Sequence, residues 1–313
     1  PGRVPVIDHE ENVRRLTKYV YPLIGSIPLN RLTEDDCNRV IYQKGLPPGS
    51  QRHVAQTVSR LCTLAVMPAR YITQSPLPPR WVPPRRDPAK GAFLFPAEEA
   101  QLMACPEVHL VRRIFFGFCA RNAIRRERAV SLRWDQLQLD GFKGRGLGRV
   151  GGNSKKPPVQ WTLDLGTAEA LRRWRTICPS EKYVFPAEAV PRSRQARKGT
   201  PMAVGNFAVL LREGLKTAGV TRTELFESKD GFRRLVGHDL RASYVTLSRA
   251  NGVDDETIRR RTGHTTRGMV DRYDHARGIF EELGCGELQP LHDAIPELAA
   301  LPPSEQWILA DDS

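Results

Sequence analysis

The sequence predicts a multidomain chain: an all-α N-terminal domain, then a larger mixed α+β domain, mostly helical with a small antiparallel sheet. Three observations carry this. Apolar residues keep helical spacing up to about residue 75; six prolines crowd the stretch from Ser75 to Lys90; and Val159, Trp161, Leu163 and Leu165 alternate with polar residues among helical patterns. The 313 residues leave room for about two domains of roughly 100–200 residues each. The expected division is 1–75 helical, 76–92 a linker, 93–284 the larger domain, and 285–313 a C-terminal tail.

In chain order, Val13, Leu16, Val20 and Leu23 mark a first helix, which Pro22 and Gly25 then break. Thr33 precedes Glu34-Asp35-Asp36 as an N-cap with acids in the first turn. Ser50 is expected to cap a longer helix with Val54, Val58, Leu61, Ala65 and Val66 on its apolar stripe and Arg52, Gln56 and Arg60 away from it. The proline stretch, interleaved with Arg80, Arg85, Arg86 and Lys90, reads as a stiff, extended, basic spacer. Helices follow at 98–105, 108–121 and 125–132, a strand around Trp134, Leu137 and Leu139, a Gly-rich stretch at 141–152, and the period-2 strand. Further helices are expected at 167–177, 204–218, 239–250, 254–261 and around Tyr273. The tail beyond Gly284 is less basic and ends in Asp311-Asp312 before Ser313.

Composition narrows the function. Hydrophobic residues at 40% and charged residues at 27% are ordinary for a globular protein and exclude collagen, coiled coil and wholesale disorder. No apolar run approaches the ~20 residues that cross a bilayer, and no signal peptide is visible. The chain opens on Pro1 and not Met, which raises the expectation of a fragment lacking its own N-terminus. Six scattered cysteines without C-x-x-C spacing argue against a zinc finger and for a reducing compartment. Lys+Arg 48 against Asp+Glu 35 leaves a net charge of +13, a field that favours a polyanion. Of the two polyanions, a membrane surface would need a basic amphipathic helix or lipid anchor, and neither is present.

One segment carries chemistry: Gly237-His238-Asp239-Leu240-Arg241, then Thr262-Gly263-His264, then Tyr273. On a helix, positions i and i+3 share a face, so His238 and Arg241 can converge on one ligand, while Leu240, Tyr244 and Leu247 mark the buried face. Each of these residues alone reads as structural, Tyr273 as a core or surface tyrosine and His264 as a helix-end cap. Their order and spacing together do not.

In that order the sequence resembles the tyrosine recombinase family, phage-type integrases in particular. That family carries an Arg in a T-G-x-R segment, a Lys on a β-hairpin, H-x-x-R, G-H, and a Tyr about nine residues on. Here Asn122-Ala123-Ile124-Arg125, leading to Leu132-Arg133-Trp134-Asp135, stands where the first Arg belongs, which selects Arg125. The hairpin lysine is Lys156, ahead of Lys155, by spacing to Leu163 and Leu165. Pro22-Leu23-Ile24-Gly25, Ile27-Pro28-Leu29 and Leu32-Thr33 resemble a core-binding domain, so the likeness spans residues 12–283.

The resemblance implies strand cleavage and rejoining through a 3′-phosphotyrosine. Tyr273 attacks the phosphate, Arg125, Arg241 and His264 hold it, His238 assists proton transfer, and Lys156 protonates the 5′ oxygen. The residue types suit the work. A guanidinium offers a planar fork that stays charged, a tyrosine of pKa ~10 needs its proton accepted, and an alkoxide needs a proton to leave. The covalent link conserves the phosphodiester energy, so neither ATP, metal nor other cofactor is implied. The implied partners are double-stranded DNA recombination sites, a homotetramer on two duplexes, and accessory DNA-bending or directionality proteins. The tail is a candidate to dock on a neighbouring protomer. In a prokaryote the location would be cytoplasmic, with the nucleoid. The competing readings are a type IB topoisomerase-like relaxation activity and a DNA-binding relative that has lost cleavage.

Two positions depart from the family pattern. Thr262 replaces an apolar residue, and Arg128 replaces an acid. Arg128 is expected to point outward to solvent or a DNA phosphate, in preference to pairing with Glu127 or Asp239.

Overall fold

Helix α1 (His9–Arg15) opens the N-terminal unit and runs through a π-helical turn at Leu16–Val20 into α2 (Tyr21–Ile24). The computed structural model describes residues 9–46, 48–83, 90–151, 158–188, 199–203, 205–229, 231–263 and 277–311. The wide turn rotates the apolar stripe, because a π-turn places more residues per revolution than the α-helix that the periodicity assumes. Val20 and Ile24 are therefore buried, while Val13 and Leu23, expected on the same stripe, face solvent. Pro22 does not break the run; it sits in the first turn of α2, where its missing N–H is tolerated, and the helix ends at Gly25.

The Thr33 cap is present as a reciprocal box: Asp36 N–H donates to Thr33 Oγ1 at 3.2 Å and Thr33 N–H to Asp36 Oδ2 at 3.1 Å, opening α3 (Glu34–Ile41). Helix α4 (Pro48–Val66) starts ahead of Ser50, which lies inside its first turn and does not cap it. Val54, Val58 and Cys62 meet Cys37 and Val40 of α3 in a small core. Leu77 is buried in that core and Trp81 packs on it, so the proline stretch is anchored where it leaves the unit.

Contacts divide the chain into Pro1–Pro88 and Ala89–Ser313. In the second unit, β1 (Lys90–Gly91) pairs parallel with β5 (Phe232–Arg233). Helices α5 (Pro96–Ala104), α6 (Leu110–Asn122) and α7 (Arg126–Val130) follow. Helix α6 is buried nearly all round; Phe115, Phe116 and Phe118 stack with Phe185 and Phe207 at centroid distances of 4.9–5.3 Å.

The sheet is antiparallel in the order β2 (Leu137–Gln138), β3 (Gly146–Val150), β4 (Val159–Leu163). Trp134 begins a 3-10 turn and not the strand, and the Gly-rich stretch supplies β3. The reason is steric: a Cβ at Gly148 would lie 2.3 Å from the Trp161 ring on the paired strand. The glycine provides the floor under a buried indole, and no apolar periodicity can announce it.

Helices α8 (Leu165–Ile177), α9 (Phe207–Thr217), α10 (Asp239–Ala250) and α11 (Asp255–Thr262) complete the frame. Next comes α12 (Arg277–Glu282), whose Phe280 is buried against Phe93, Phe95 and Leu247. The C-terminal helices α13 (Leu291–Ala294), α14 (Pro296–Ala299) and α15 (Glu305–Asp311) fold back on this same chain. Leu291, Ile295 and Leu298 are buried in the main core, and glycines provide the sockets: a Cβ at Gly117 would lie 2.4 Å from Leu291 Cδ1, and one at Gly166 2.7 Å from Pro290 Cβ. Buried arginines fasten the backbone, with Arg121 donating to Gln289 O and Arg173 Nη1 to Leu298 O at 3.0 Å. None of the six cysteines forms a disulfide. Among the described residues no helix is long and apolar enough to cross a membrane.

Candidate active site

Three helix ends meet where the sequence placed its candidate cations. Helix α6 stops at Asn122, and Ala123 caps it in the left-handed region at φ 50°. The chain then turns so that Arg125, extended at φ −62°, ψ 129°, leads into α7. Helix α10 opens after the turn Val236-Gly237-His238. Glycine is required there, because a Cβ at 237 would lie 2.1 Å from the Phe207 ring.

Arg241 lies at the third residue of α10 and is 4% exposed. Its guanidinium spans two of those ends: Nη1 donates to Ala123 O at 2.7 Å and Nη2 to Thr262 O, the last residue of α11. Helix C-termini carry unsatisfied carbonyls and the negative end of the dipole, so a fixed cation is well placed between them. The Ala123 carbonyl is two residues from Arg125, and Thr262 two residues from His264. One side chain therefore ties the backbone of three sequence motifs together.

His238 precedes Asp239 at the mouth of α10. Burial pushes its imidazole below the ordinary histidine value, and Arg241, Arg233 and Arg125 push the same way against Asp239. These three guanidiniums are thus within electrostatic reach of the ring, which is neutral at neutral pH and able to accept a proton. Asp239, 1% exposed, grips Arg233 through two hydrogen bonds of 2.6 and 2.7 Å and accepts from Val236 N–H at 2.8 Å. Gly91 makes room, since a Cβ there would stand 2.8 Å from Arg233 Nη2.

Arg128 does not point outward. At 8% exposure it is packed within the domain, one helical turn from Arg125, with Arg128 N–H donating to Arg125 O at 2.9 Å. Burial and the Arg125 charge both lower its pKa. The physical reason is its place in α7: Arg128, Ala129 and Val130, the last three residues of the helix, are all buried, while Glu127 is exposed and pairs with Arg126 at 2.9 Å. Thr262, the second departure, is also buried, and its hydroxyl is satisfied by Ile258 O at 2.7 Å.

Arg125, His238 and Arg241 are brought together. Lys155, Lys156, His264 and Tyr273 lie outside the described residues; by sequence, the lysines stand between β3 and β4 and His264 directly follows Gly263, the left-handed cap of α11 at φ 66°. Sequence reasoning missed Arg261, which donates to Thr162 O and Oγ1 on β4 and to Asn122 Oδ1 at 3.1 Å, binding hairpin, α6 and α11 into one body. In an Arg-Arg-Arg run on a basic chain nothing distinguishes it beforehand.

The model of the phage integrase family matches residues 92–278, more than half of the chain. The chain belongs to that family of tyrosine recombinases. No curated protein sequence matches it significantly. Among solved structures, this integrase-family chain is similar to a lambda integrase dimer bound to a COC′ core site, at 12% identity and a TM-score of 0.63, covering 84% of this chain and 91% of that one. It is similar to the Tn1549 transposon integrase in complex with transposon right end DNA, at 13% identity and a TM-score of 0.61, covering 90% and 95%. It is also similar to the XerH site-specific recombinase bound to its difH substrate, at 16% identity and a TM-score of 0.52, covering 82% and 71%. At these identities the likeness is one of fold.

Proposed function

We propose that this protein is a site-specific DNA recombinase that cuts and rejoins DNA through a 3′-phosphotyrosine formed on Tyr273. The convergence of Arg125, His238 and Arg241 at three helix ends carries the reading. Two forked cations, far apart in sequence and gathered at one place in the fold, suit the non-bridging oxygens of one phosphate, and they stabilise the extra charge of a pentavalent transition state without a metal. The Tyr273 oxygen forms a bond to phosphorus as the bond from phosphorus to the 5′ oxygen breaks. The neutral imidazole of His238 assists removal of the phenolic proton, and a hairpin lysine, Lys156 or Lys155, gives a proton to the departing 5′ oxygen. His264 completes the phosphate clamp. No ATP is consumed, because the phosphotyrosine keeps the bond energy for religation.

Double-stranded DNA is the substrate, bound by an assembly of several copies; the neighbours whose structures hold DNA as dimers and as a tetramer on a Holliday junction support that arrangement. The test is covalent capture. Wild-type protein is mixed with a pool of nicked duplexes of randomised core sequence, and a protein–DNA adduct is expected. Tyr273→Phe removes one oxygen and should abolish the adduct while leaving DNA affinity near wild type. An adduct that survives in Tyr273→Phe shifts the nucleophile to another residue, Tyr244 first. A wild type that binds DNA and never forms an adduct overturns the proposal in favour of a relative without cleavage.

A further inference from the structure

The C-terminal segment reaches the base of the β3–β4 hairpin by two routes. In the first, Ser304 donates to Glu169, from its N–H to Oε1 at 2.9 Å and from its hydroxyl to Oε2. Glu169 is fully buried on α8 and also accepts from Arg173 Nε at 2.8 Å. Arg172 Nη1 lies 3.4 Å from the same carboxylate, and the rest of its guanidinium collects the carbonyls that lead into β3: Leu139 at 3.0 Å, Gly144 at 2.8 Å and Arg145 at 3.3 Å. In the second, Gln306 Oε1 accepts from Gly141 N–H at 3.1 Å. The loop 139–145 is thus held directly by the tail, and again by an arginine whose counter-charge the tail holds.

We infer that Ser304, Glu169 and Arg172 form a positioning relay by which the C-terminal segment sets the β3–β4 hairpin, and with it the delivery of the general acid. The inference rests on the reading under Proposed function, in which the lysine between these strands protonates the 5′ oxygen. A buried arginine that gathers three carbonyls needs its carboxylate partner held in place, and a misplacement of an ångström or less is enough to slow proton transfer. The relay touches neither DNA nor the reacting atoms. It acts through the hairpin.

The test separates proton delivery from every other step. The duplex selected by covalent capture is made twice, with oxygen or with sulfur at the 5′ bridging position. On the oxygen substrate the phosphorus–oxygen bond breaks as the alkoxide takes a proton from the lysine; on the sulfur substrate a thiolate leaves without one. Ser304→Ala in the full chain should slow adduct formation on the oxygen substrate by roughly tenfold, the scale of one lost hydrogen bond to a charged group, and leave the sulfur substrate near the wild-type rate. Ser304→Thr, which keeps the hydroxyl, should restore the oxygen rate. If Ser304→Ala does not fold, Gln306→Ala cuts the second route and carries the same expectation. Equal slowing on both substrates, or none on either, overturns the relay while leaving the recombinase reading intact. A wild type silent on both substrates overturns both.

Discussion

The fit of Leu291 against Gly117 can be tested by exchanging their volumes. Leu291 is 0% exposed, and truncating a fully buried leucine to alanine costs about 2–5 kcal/mol. At Gly117 an added Cβ would stand 2.4 Å from Leu291 Cδ1 and 2.9 Å from Met103 Sδ, so Gly117→Ala overpacks the core at about 1–3 kcal/mol. The gain in helix propensity, about 1 kcal/mol, offsets part of that. In the double variant the new methyl enters space that Leu291 has vacated. The total should therefore fall short of the sum of the single effects by about 1 kcal/mol or more. Urea unfolding of all four proteins measures this, with midpoints read at two protein concentrations. Additivity within about 0.5 kcal/mol would refute the contact. A midpoint that rises with concentration in the wild type and not in Leu291→Ala would show that Leu291 docks from a second copy and not from its own chain.

Other outcomes follow from the same structure. Arg241→Lys keeps the charge but cannot bridge Ala123 O and Thr262 O, so thermal unfolding should register a loss of about 2 kcal/mol and adduct formation should collapse. His292, buried against the Trp307 ring at a centroid distance of 4.3 Å, is held below the ordinary histidine value, chiefly by burial. The unfolded chain takes the proton first, so this contribution is intact above about pH 6.5 and lost as pH falls through the folded value. His292→Phe should accordingly flatten the fall of Tm on the acid side, and an unchanged slope would place the titration elsewhere. DNA affinity should drop by about a thousandfold or more between 50 and 200 mM salt if six or more phosphates are neutralised, and a flat salt profile would sink that picture.

Much of this architecture was legible because periodicity reports burial directly. The Thr33 box, the helices at 98–105, 108–121 and 239–250, and the strand at Val159 each sit within a few residues of their expected bounds. The misreadings have local causes. A π-turn alters the residue count per revolution at Leu16–Val20, and in β3 Gly148 lies under Trp161 and Gly146 against Leu163, packing roles that leave no apolar signal. The charge of its neighbours predicts a surface position for Arg128, whereas the C-terminal end of the five-residue α7 is buried all round and takes Arg128 with it.

By itself the sequence determined the family, the net charge, and the identities and order of Arg125, His238 and Arg241, because these are properties of residue type and spacing along the chain. Only the tertiary structure decided that Arg241 joins the ends of α6 and α11, that Arg261 and Arg172 bind the hairpin's strand and base to the helices, and that the tail seats Leu291 and Pro290 over Gly117 and Gly166. Those contacts pair a side chain with backbone carbonyls or with the absence of a side chain. A carbonyl is present at every position and an empty volume at none in particular, so neither leaves a mark in residue identity until the chain has folded around it.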